Sequence, residues 1–491
     1  MAILDKIGIL RRARVDASPA NPMNSCRYDL AVIGSGPAGH HAAIQAAKLG
    51  RSVVVIERRV ALGGVALHAG TIPSKTLREA VLYLTGFRLR GLYGESYRVK
   101  DNITLPDLRM RVDHVIGHET EIFRAQFRRN NVEVLPGEAS FLNPHTLKVS
   151  NGDDQVEIEA GNIVIATGTR PARPNKVPFD GERVLDTDQL WDLRRTQLPS
   201  SLTVVGGGVI GIEYSCVMAA LGVRVTLIER RARILDFVDR ELVEALCYHM
   251  RSMGAVLHLG EDVVSISTNA SGSVVAQLAS NKSIASEALL YAAGRIGNTE
   301  QLNLYAAGLT TDDRGRLLVD AQYRTVVPHI YAAGDVIGFP SLASTSMEQG
   351  RLAACAALDA ACDVMPHLFP YGIYTIPEMS YVGRTEEQLT ADGVPYQSGV
   401  ARYKEIARGQ IIGDENGFLK LLFHQQTKKL LGVHIIGEGA TELVHIGQMV
   451  LAHDGSIDTF IRSVFNYPTL AECYKVAALA GVNKLSPSPR T

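Results

Sequence analysis

SLTVVGGGVIGIEYSCVMAALGVRVTLIER, residues 201–230, decides the fold. An apolar run reaches Gly206, then Gly206, Gly208 and Gly211 follow in GxGxxG spacing, a helix follows them, and a second apolar run closes on Glu229. The glycines let backbone N–H groups at a helix N-terminus approach a pyrophosphate, and an acid about 20 residues on accepts from a ribose hydroxyl. GxGxxG alone often marks only a turn. With strand, helix, second strand and terminal acid in register it reads as a dinucleotide unit. The same design stands upstream: YDLAVIG leads into Gly34, Gly36 and Gly39, a helix ends at Gly50, and RSVVVIE closes on Glu57. Two units imply two dinucleotides, one resident and one exchangeable, and an α/β chain with two Rossmann-like dinucleotide-binding domains.

The chain has 491 residues, too many for one core and enough for about three domains of roughly 150 residues. Apolar residues at 46% and charged residues at 21% suit a soluble globular protein. A formal net charge of -1 argues against nucleic acid or an anionic membrane as partner. No apolar run approaches the roughly 20 residues of a membrane span. Cys26, Cys216, Cys247, Cys355, Cys362 and Cys473 form no CxxC and no close framework. They read as buried thiols of a reducing compartment, so a cytoplasmic location is expected and no metal site. Residues 1–27 place a short apolar patch before their arginines, the reverse of a secretory signal. They read as a disordered extension, with organelle targeting and a start at Met23 as open alternatives.

Between the units lies LGGVALHAGTIPSK, residues 62–75, with Ser74 expected to cap a helix that starts there. This segment resembles the redox loop of the pyridine nucleotide-disulfide oxidoreductases, in which two cysteines separated by four residues precede IPSK. Ala66 and Thr71 occupy the two cysteine places. The resemblance implies FAD at the first unit, with Gly34, Gly36, Gly39, Glu57 and Gly64, and NAD or NADP at the second, with Gly206, Gly208, Gly211 and Glu229. It places Lys75 against the flavin, where an ammonium stabilises negative charge, and pairs it with Glu213. On residue type alone, Lys75 is a solvated first-turn lysine and Glu213 a solvent-facing helix residue. His68 receives no role.

Residues 104–130 read as a long helix, and 130–150 as an antiparallel set with turns at Gly137 and Asn143. NIVIATGTRPARP, with Gly168, matches the family's crossover into its second domain, and LLYAAGRIGNT, with Gly294, ends that domain. HIYAAGDV carries Gly334 and Asp335, similar to the motif whose aspartate binds the ribityl chain of FAD. The expected domains are 28–175 with 295–365 for FAD, 176–294 for NAD(P), and an α+β dimerisation domain at 366–491. In the family its C-terminal segment completes the other subunit's site with a His-Pro-Thr and a glutamate. Here FNYPTLAE puts Tyr467 in the histidine place and keeps Glu472. A tyrosine with a reference pKa of about 10 is a poor base at neutral pH.

Loss of both thiols and of their base points to electrons that leave through a nicotinamide or a diffusible acceptor. The pattern resembles that of the family's transhydrogenases, and the resemblance implies hydride transfer between NADPH and NAD⁺, FAD-dependent and ping-pong through reduced flavin, in a homodimer or larger homo-oligomer. Arg230, Arg231 and Arg233 follow Glu229, and guanidinium groups grip a phosphate bidentately. A carboxylate for the ribose of NAD beside arginines for the phosphate of NADP suggests one site that takes each nucleotide in turn. A solvated arginine run is the plainer alternative. An NAD(P)H diaphorase, quinone reductase or oxidase uses the same framework, and a non-catalytic flavoprotein would have no need of Lys75, Glu213 and both glycine turns.

Overall fold

The computed structural model describes residues 26–94, 96–190, 197–361 and 364–485, so residues 1–25 of the expected extension and Cys362 lie outside the described residues, while residues 26 and 27, expected in that extension, belong to the first strand. The first unit is a seven-stranded sheet. Its parallel part joins β1 (Cys26–Ile33), β2 (Val53–Glu57) and β3 (Glu133–Pro136) to the antiparallel β4 (Glu138–Asn143), β5 (Thr146–Asn151) and β6 (Asp154–Ile165), in the order β3-β2-β1-β6-β5-β4. Every residue of β2 is buried, as helix-covered faces require.

α1 (Pro37–Lys48) opens with Pro37 in its first turn, where no N–H partner is lost, and the chain leaves it through Gly50 at φ +73°. α2 (Gly64–His68), α3 (Thr71–Leu84), α4 (Arg90–Tyr93) and α5 (Leu105–Arg129) follow. Thr104 and Asp107 form a capping box on α5.

Two local expectations are corrected. α3 begins at Thr71 and not at Ser74, whose hydroxyl donates to the Thr71 carbonyl at 3.4 Å and caps nothing. Pro73 lies inside the first turn, where proline is tolerated, so it does not hold back the helix start. Residues 133–136 pair with β2 in parallel, because α5 carries the chain across the sheet before it returns. The antiparallel set starts only at β4.

After β7 (Thr169–Pro171) comes the second unit, an all-parallel sheet of β8 (Val184–Asp186), β9 (Ser201–Val205), β10 (Arg224–Glu229), β11 (Val256–Leu259) and later β15 (Ala288–Tyr291), in the order β11-β10-β9-β15-β8. α6 (Val209–Ala220) is buried along Gly211–Ala220, as a helix apolar all round should be, and α7 (Arg240–Ser252) covers the sheet with its apolar face. β12 (Val263–Thr268), β13 (Val274–Leu278) and β14 (Ser283–Ser286) form an antiparallel sheet beside it.

β16 (Arg295–Gly297) pairs back onto β7, and β17 (Ile330–Ala332) rejoins the first sheet beside β6. α8 (Ala343–Ala357) then packs against α1. The third domain is a five-stranded sheet of β18 (Tyr371–Ile373), β19 (Met379–Gly383), β20 (Tyr396–Arg402), β21 (Phe418–His424) and β22 (Leu430–Ile436). With it go α9 (Glu386–Ala391), α10 (Ala407–Ile412), α11 (Ala440–Ala452), α12 (Asp458–Arg462) and α13 (Glu472–Leu485).

One apolar core crosses all three parts. It joins Leu77 and Val81 of α3 and Leu108 of α5 to Ile212 and Val217 of α6, and both to Ile373, Ile376 and Met379 of the third domain. Side chains at the ends of these elements therefore face one another. Among the described residues, Cys216, Cys247, Cys355 and Cys473 are buried, and no helix is long and apolar enough to cross a membrane.

Candidate active site

A single cleft of about 1800 Å³ runs from the first glycine turn to the end of the second unit. At its first end Gly34, at φ +102°, has no room for a side chain, because a Cβ there would lie 2.6 Å from the Ala166 carbonyl oxygen. Gly39 stands behind the turn, where a Cβ would come within 1.9 Å of the Gly34 oxygen. Close packing of helix on strand thus holds the N-terminus of α1 at the cleft.

Glu57 is buried and accepts from the Ser35 N–H at 2.9 Å, the Ser35 hydroxyl at 2.6 Å and the Arg59 N–H at 2.9 Å. Two groups in the wall are short of partners. The Thr167 hydroxyl is buried with none among the described residues. Burial pushes the Asp335 carboxyl up, Arg295 and the Thr169 hydroxyl, 3.3 Å away, pulling it only partly back. A polyhydroxyl chain laid along this wall would satisfy both.

At mid-cleft the Lys75 ammonium donates to both Glu213 oxygens, at 3.0 and 2.7 Å. The Tyr374 N–H donates to Glu213 at 2.9 Å, and the Tyr374 ring lies 4.8 Å from the ammonium. Glu213 is 8% exposed and Lys75 25%, so the ammonium keeps its open side toward the cleft. Arg78, buried on α3, donates to the Thr375 carbonyl at 2.8 Å and pairs with Glu378 at 3.5 Å, which ties α3 to the segment carrying Tyr374. Among the described residues lining the cleft there is no cysteine.

The second end repeats the first. Gly206 and Gly211 have the same crowding, with a Cβ placed 2.6 Å from the Ala292 oxygen and 2.0 Å from the Gly206 oxygen respectively. Buried Glu229 accepts from the Gly207 N–H, and from the Arg231 N–H and Nε at 2.9 Å each. Burial pushes this carboxyl up, but Arg231 and the two N–H groups more than offset it and hold it below the usual carboxylate range.

Residues 28–350 match the family model described as pyridine nucleotide-disulphide oxidoreductase, and residues 369–478 its dimerisation domain. The chain belongs to the pyridine nucleotide-disulphide oxidoreductase family. Within that family it is 54% identical over 460 residues to a protein of Mycobacterium tuberculosis (strain ATCC 25177 / H37Ra) named soluble pyridine nucleotide transhydrogenase, covering 93% of this chain and 98% of the relative. A protein of the same name from Pectobacterium atrosepticum is 46% identical over 465 residues with the same coverage. The fold is similar to the crystal structure of LpdA from Mycobacterium tuberculosis, with TM-score 0.84, 27% identity, and 92% and 99% of the two chains covered. It is also similar to the HOCl-induced flavoprotein disulfide reductase RclA from Escherichia coli, with TM-score 0.82, 27% identity, and the same coverage.

Set against this family's motifs, Gly34, Gly36, Glu57, Gly64, Thr71, Lys75, Gly168, Gly206, Gly208, Glu213, Glu229, Arg230, Arg231, Gly294, Gly334 and Asp335 all line the one cleft. Gly39 and Gly211 lie behind its turns, and Tyr467 and Glu472 are not among its lining. Tyr467 is 68% exposed, and Glu472 keeps one buried oxygen without a partner among the described residues. The arginines after Glu229 separate. Arg231 is held by Glu229 and by Asp236 at 2.8 Å, Arg233 by Glu387 at 3.1 Å, and Arg230 is exposed at the cleft. Sequence reasoning read Thr167 only as part of the crossover NIVIATGTRPARP and missed Tyr374, Asp236 and Glu387, none of which stands in a spaced motif.

Proposed function

We propose that this protein transfers hydride between NADPH and NAD⁺ in two half-reactions, with FAD resident at the first turn and the nucleotides alternating at the second. The observation that carries this is the shared cleft: two glycine turns open into it, the Lys75–Glu213 pair stands where they meet, and among the described residues no cysteine lines it. Relatives of 54% and 46% identity named soluble pyridine nucleotide transhydrogenase support it. Residues 28–175 with 295–365 would form the FAD domain, 176–294 the NAD(P) domain and 366–491 the dimerisation domain, with the buried thiols in accord with a cytoplasmic setting.

When bound, FAD supplies a two-electron store between the half-reactions. Gly34 and Gly36 bring the N-terminus of α1 to its pyrophosphate, Glu57 accepts from its ribose, and Asp335 and Thr167 meet its hydroxyl chain. Lys75 presents a fixed positive charge where electron density collects. Glu213 and the Tyr374 ring fix that charge before the substrate arrives, so little reorganisation is needed. Glu229 accepts from the adenosine ribose of NAD⁺, and Arg230 meets the 2′-phosphate of NADPH. With Ala66 and Thr71 in the loop, the nicotinamide site is the exit for electrons.

Steady-state rates with NADPH and thio-NAD⁺ test this. Reduced thio-NAD⁺ should appear, with parallel double-reciprocal lines. Rapid dye reduction without nucleotide-to-nucleotide transfer would replace the proposal with a diaphorase, and intersecting lines would remove the shared nucleotide site.

A further inference from the structure

Beside the second turn, two guanidinium groups are held by carboxylates, of which Asp236 and Glu387 do not line the cleft. Arg231 pairs with Glu229, Nε to Oε1 at 2.9 Å and Nη2 to Oε2 at 3.3 Å, and its Nη1 reaches Asp236 at 2.8 Å. Arg233 donates to Glu387 at 3.1 Å and to the Asp236 carbonyl at 2.6 Å. Glu387 belongs to the third domain and also accepts from the N–H of Arg240, the first residue of α7 in the second unit, at 3.2 Å. Its neighbour Glu386 pairs at 3.1 Å with Lys420, a lysine 1% exposed that also holds buried Asp239 at 2.9 Å. α9 is therefore anchored to the start of α7 by a buried charge group, so Glu387 stands at a fixed place over the arginine loop.

We infer that Asp236 and Glu387 are positioning residues that set nucleotide preference: they hold Arg231 and Arg233 off a ribose 2′-phosphate and leave Arg230 as the guanidinium that meets it. This rests on the reading of the Glu229 end as the adenosine ribose site. Three free arginines would make a site for NADP(H) alone, since each adds a charge-assisted contact to phosphate. An unmasked Glu229 would repel the phosphate and make a site for NAD(H) alone. Pairing Arg231 with Glu229 cancels both extremes. A site that must release one nucleotide before the other enters needs affinities of similar size, because strong preference for either would leave the other excluded.

The test is calorimetric titration of the flavin-loaded, full-length protein with 5′-AMP and with 2′,5′-adenosine bisphosphate, which differ by the 2′-phosphate alone. In Asp236→Asn and in Glu387→Gln the bisphosphate should bind roughly fivefold tighter, a size fitting one partly exposed charge partner. Affinity for 5′-AMP should stay within about twofold. Asp236→Glu, which keeps the carboxylate, should restore the wild-type ratio, whereas in Asp236→Asn and Glu387→Gln NADPH should gain over NADH in KM but not in kcat. An unchanged ratio, or parallel weakening of both probes as from local unfolding, overturns the inference. If the wild-type protein binds neither probe, the ribose-site reading itself fails.

Discussion

Lys75 carries two hydrogen bonds to one carboxylate and still faces the cleft, so its charge is fixed in place and only partly neutralised. Replacing it with an uncharged chain of similar length removes a positioned electrostatic partner, an effect worth about one to two orders of magnitude in rate. Lys75→Met should therefore slow flavin reduction by NADPH in stopped flow by that amount while FAD stays bound. Unchanged reduction would return Lys75 to a surface role. Arg230 is exposed at the cleft, whereas Arg231 and Arg233 are each engaged by carboxylates. Arg230→Ala should raise KM for NADPH about tenfold, as loss of one charged hydrogen bond does, with NADH nearly unchanged. Equal weakening of both nucleotides would refute its phosphate role. Glu57 and Glu229 were legible in the sequence because strand, turn and acid lie within 30 residues. The Lys75–Glu213 pair spans 138 positions and was reached only through family resemblance. Tyr374 and Glu387 act through the third domain, and no local spacing marks a partner that distant folding supplies.

The first glycine turn depends on how closely α1 and α8 approach. A Cβ on Gly350 would lie 2.0 Å from the Ala38 carbonyl oxygen, so any side chain there forces the two helices apart. Gly350→Ala should cost about 1–3 kcal/mol of overpacking, lower the melting temperature by several degrees, and release flavin during gel filtration. A variant that keeps its flavin and its melting temperature would show that α1 does not depend on α8. α1 also carries His40, buried against Phe123 and Phe127 with ring centroids 4.3 and 4.8 Å away. Burial, with a smaller push from His41, lowers its pKa from 6.5 to about 4. The folded protein thus binds fewer protons than the unfolded chain between those values, and stability falls as pH drops from 6.5 toward 4, by on the order of 3 kcal/mol in all. His40→Phe should flatten that part of a melting-temperature profile; an identical slope would mean that other groups cause it. The same elements mark where sequence patterns ran out. Strand and helix periods located β1, α1, β2 and α5 well. The direction of β3 and the start of α3 depended on a crossover and on Pro73 fitting a first turn, which periodicity does not encode.

At the scale of the whole molecule, the third domain both completes the cleft and carries the family's dimerisation surface. Tyr374 lines the cleft of its own chain and Glu387 holds Arg233 beside it, while Tyr467 and Glu472 of the FNYPTLAE segment are not among its lining. Val464 is 95% exposed and Tyr467, three residues on, 68%, and Glu472 has a buried oxygen with no partner among the described residues. A two-fold partner would cover these side chains and bring Tyr467 and Glu472 to the neighbouring flavin pocket. Deleting residues from Phe465 onward would abolish activity and assembly, but it would also remove Cys473, Tyr474, Ala477 and Ala478, which are fully buried in the core of their own domain. A point change separates the two effects. Val464→Asp leaves that core intact and places a charge in the contact, where leaving it buried and unpaired is costly. This variant should run as a monomer by light scattering, melt cooperatively, keep its FAD, and lose most transfer between NADPH and thio-NAD⁺. A fully active monomer would show that each chain's site is complete by itself, and Tyr467 and Glu472 would then have no part in the reaction.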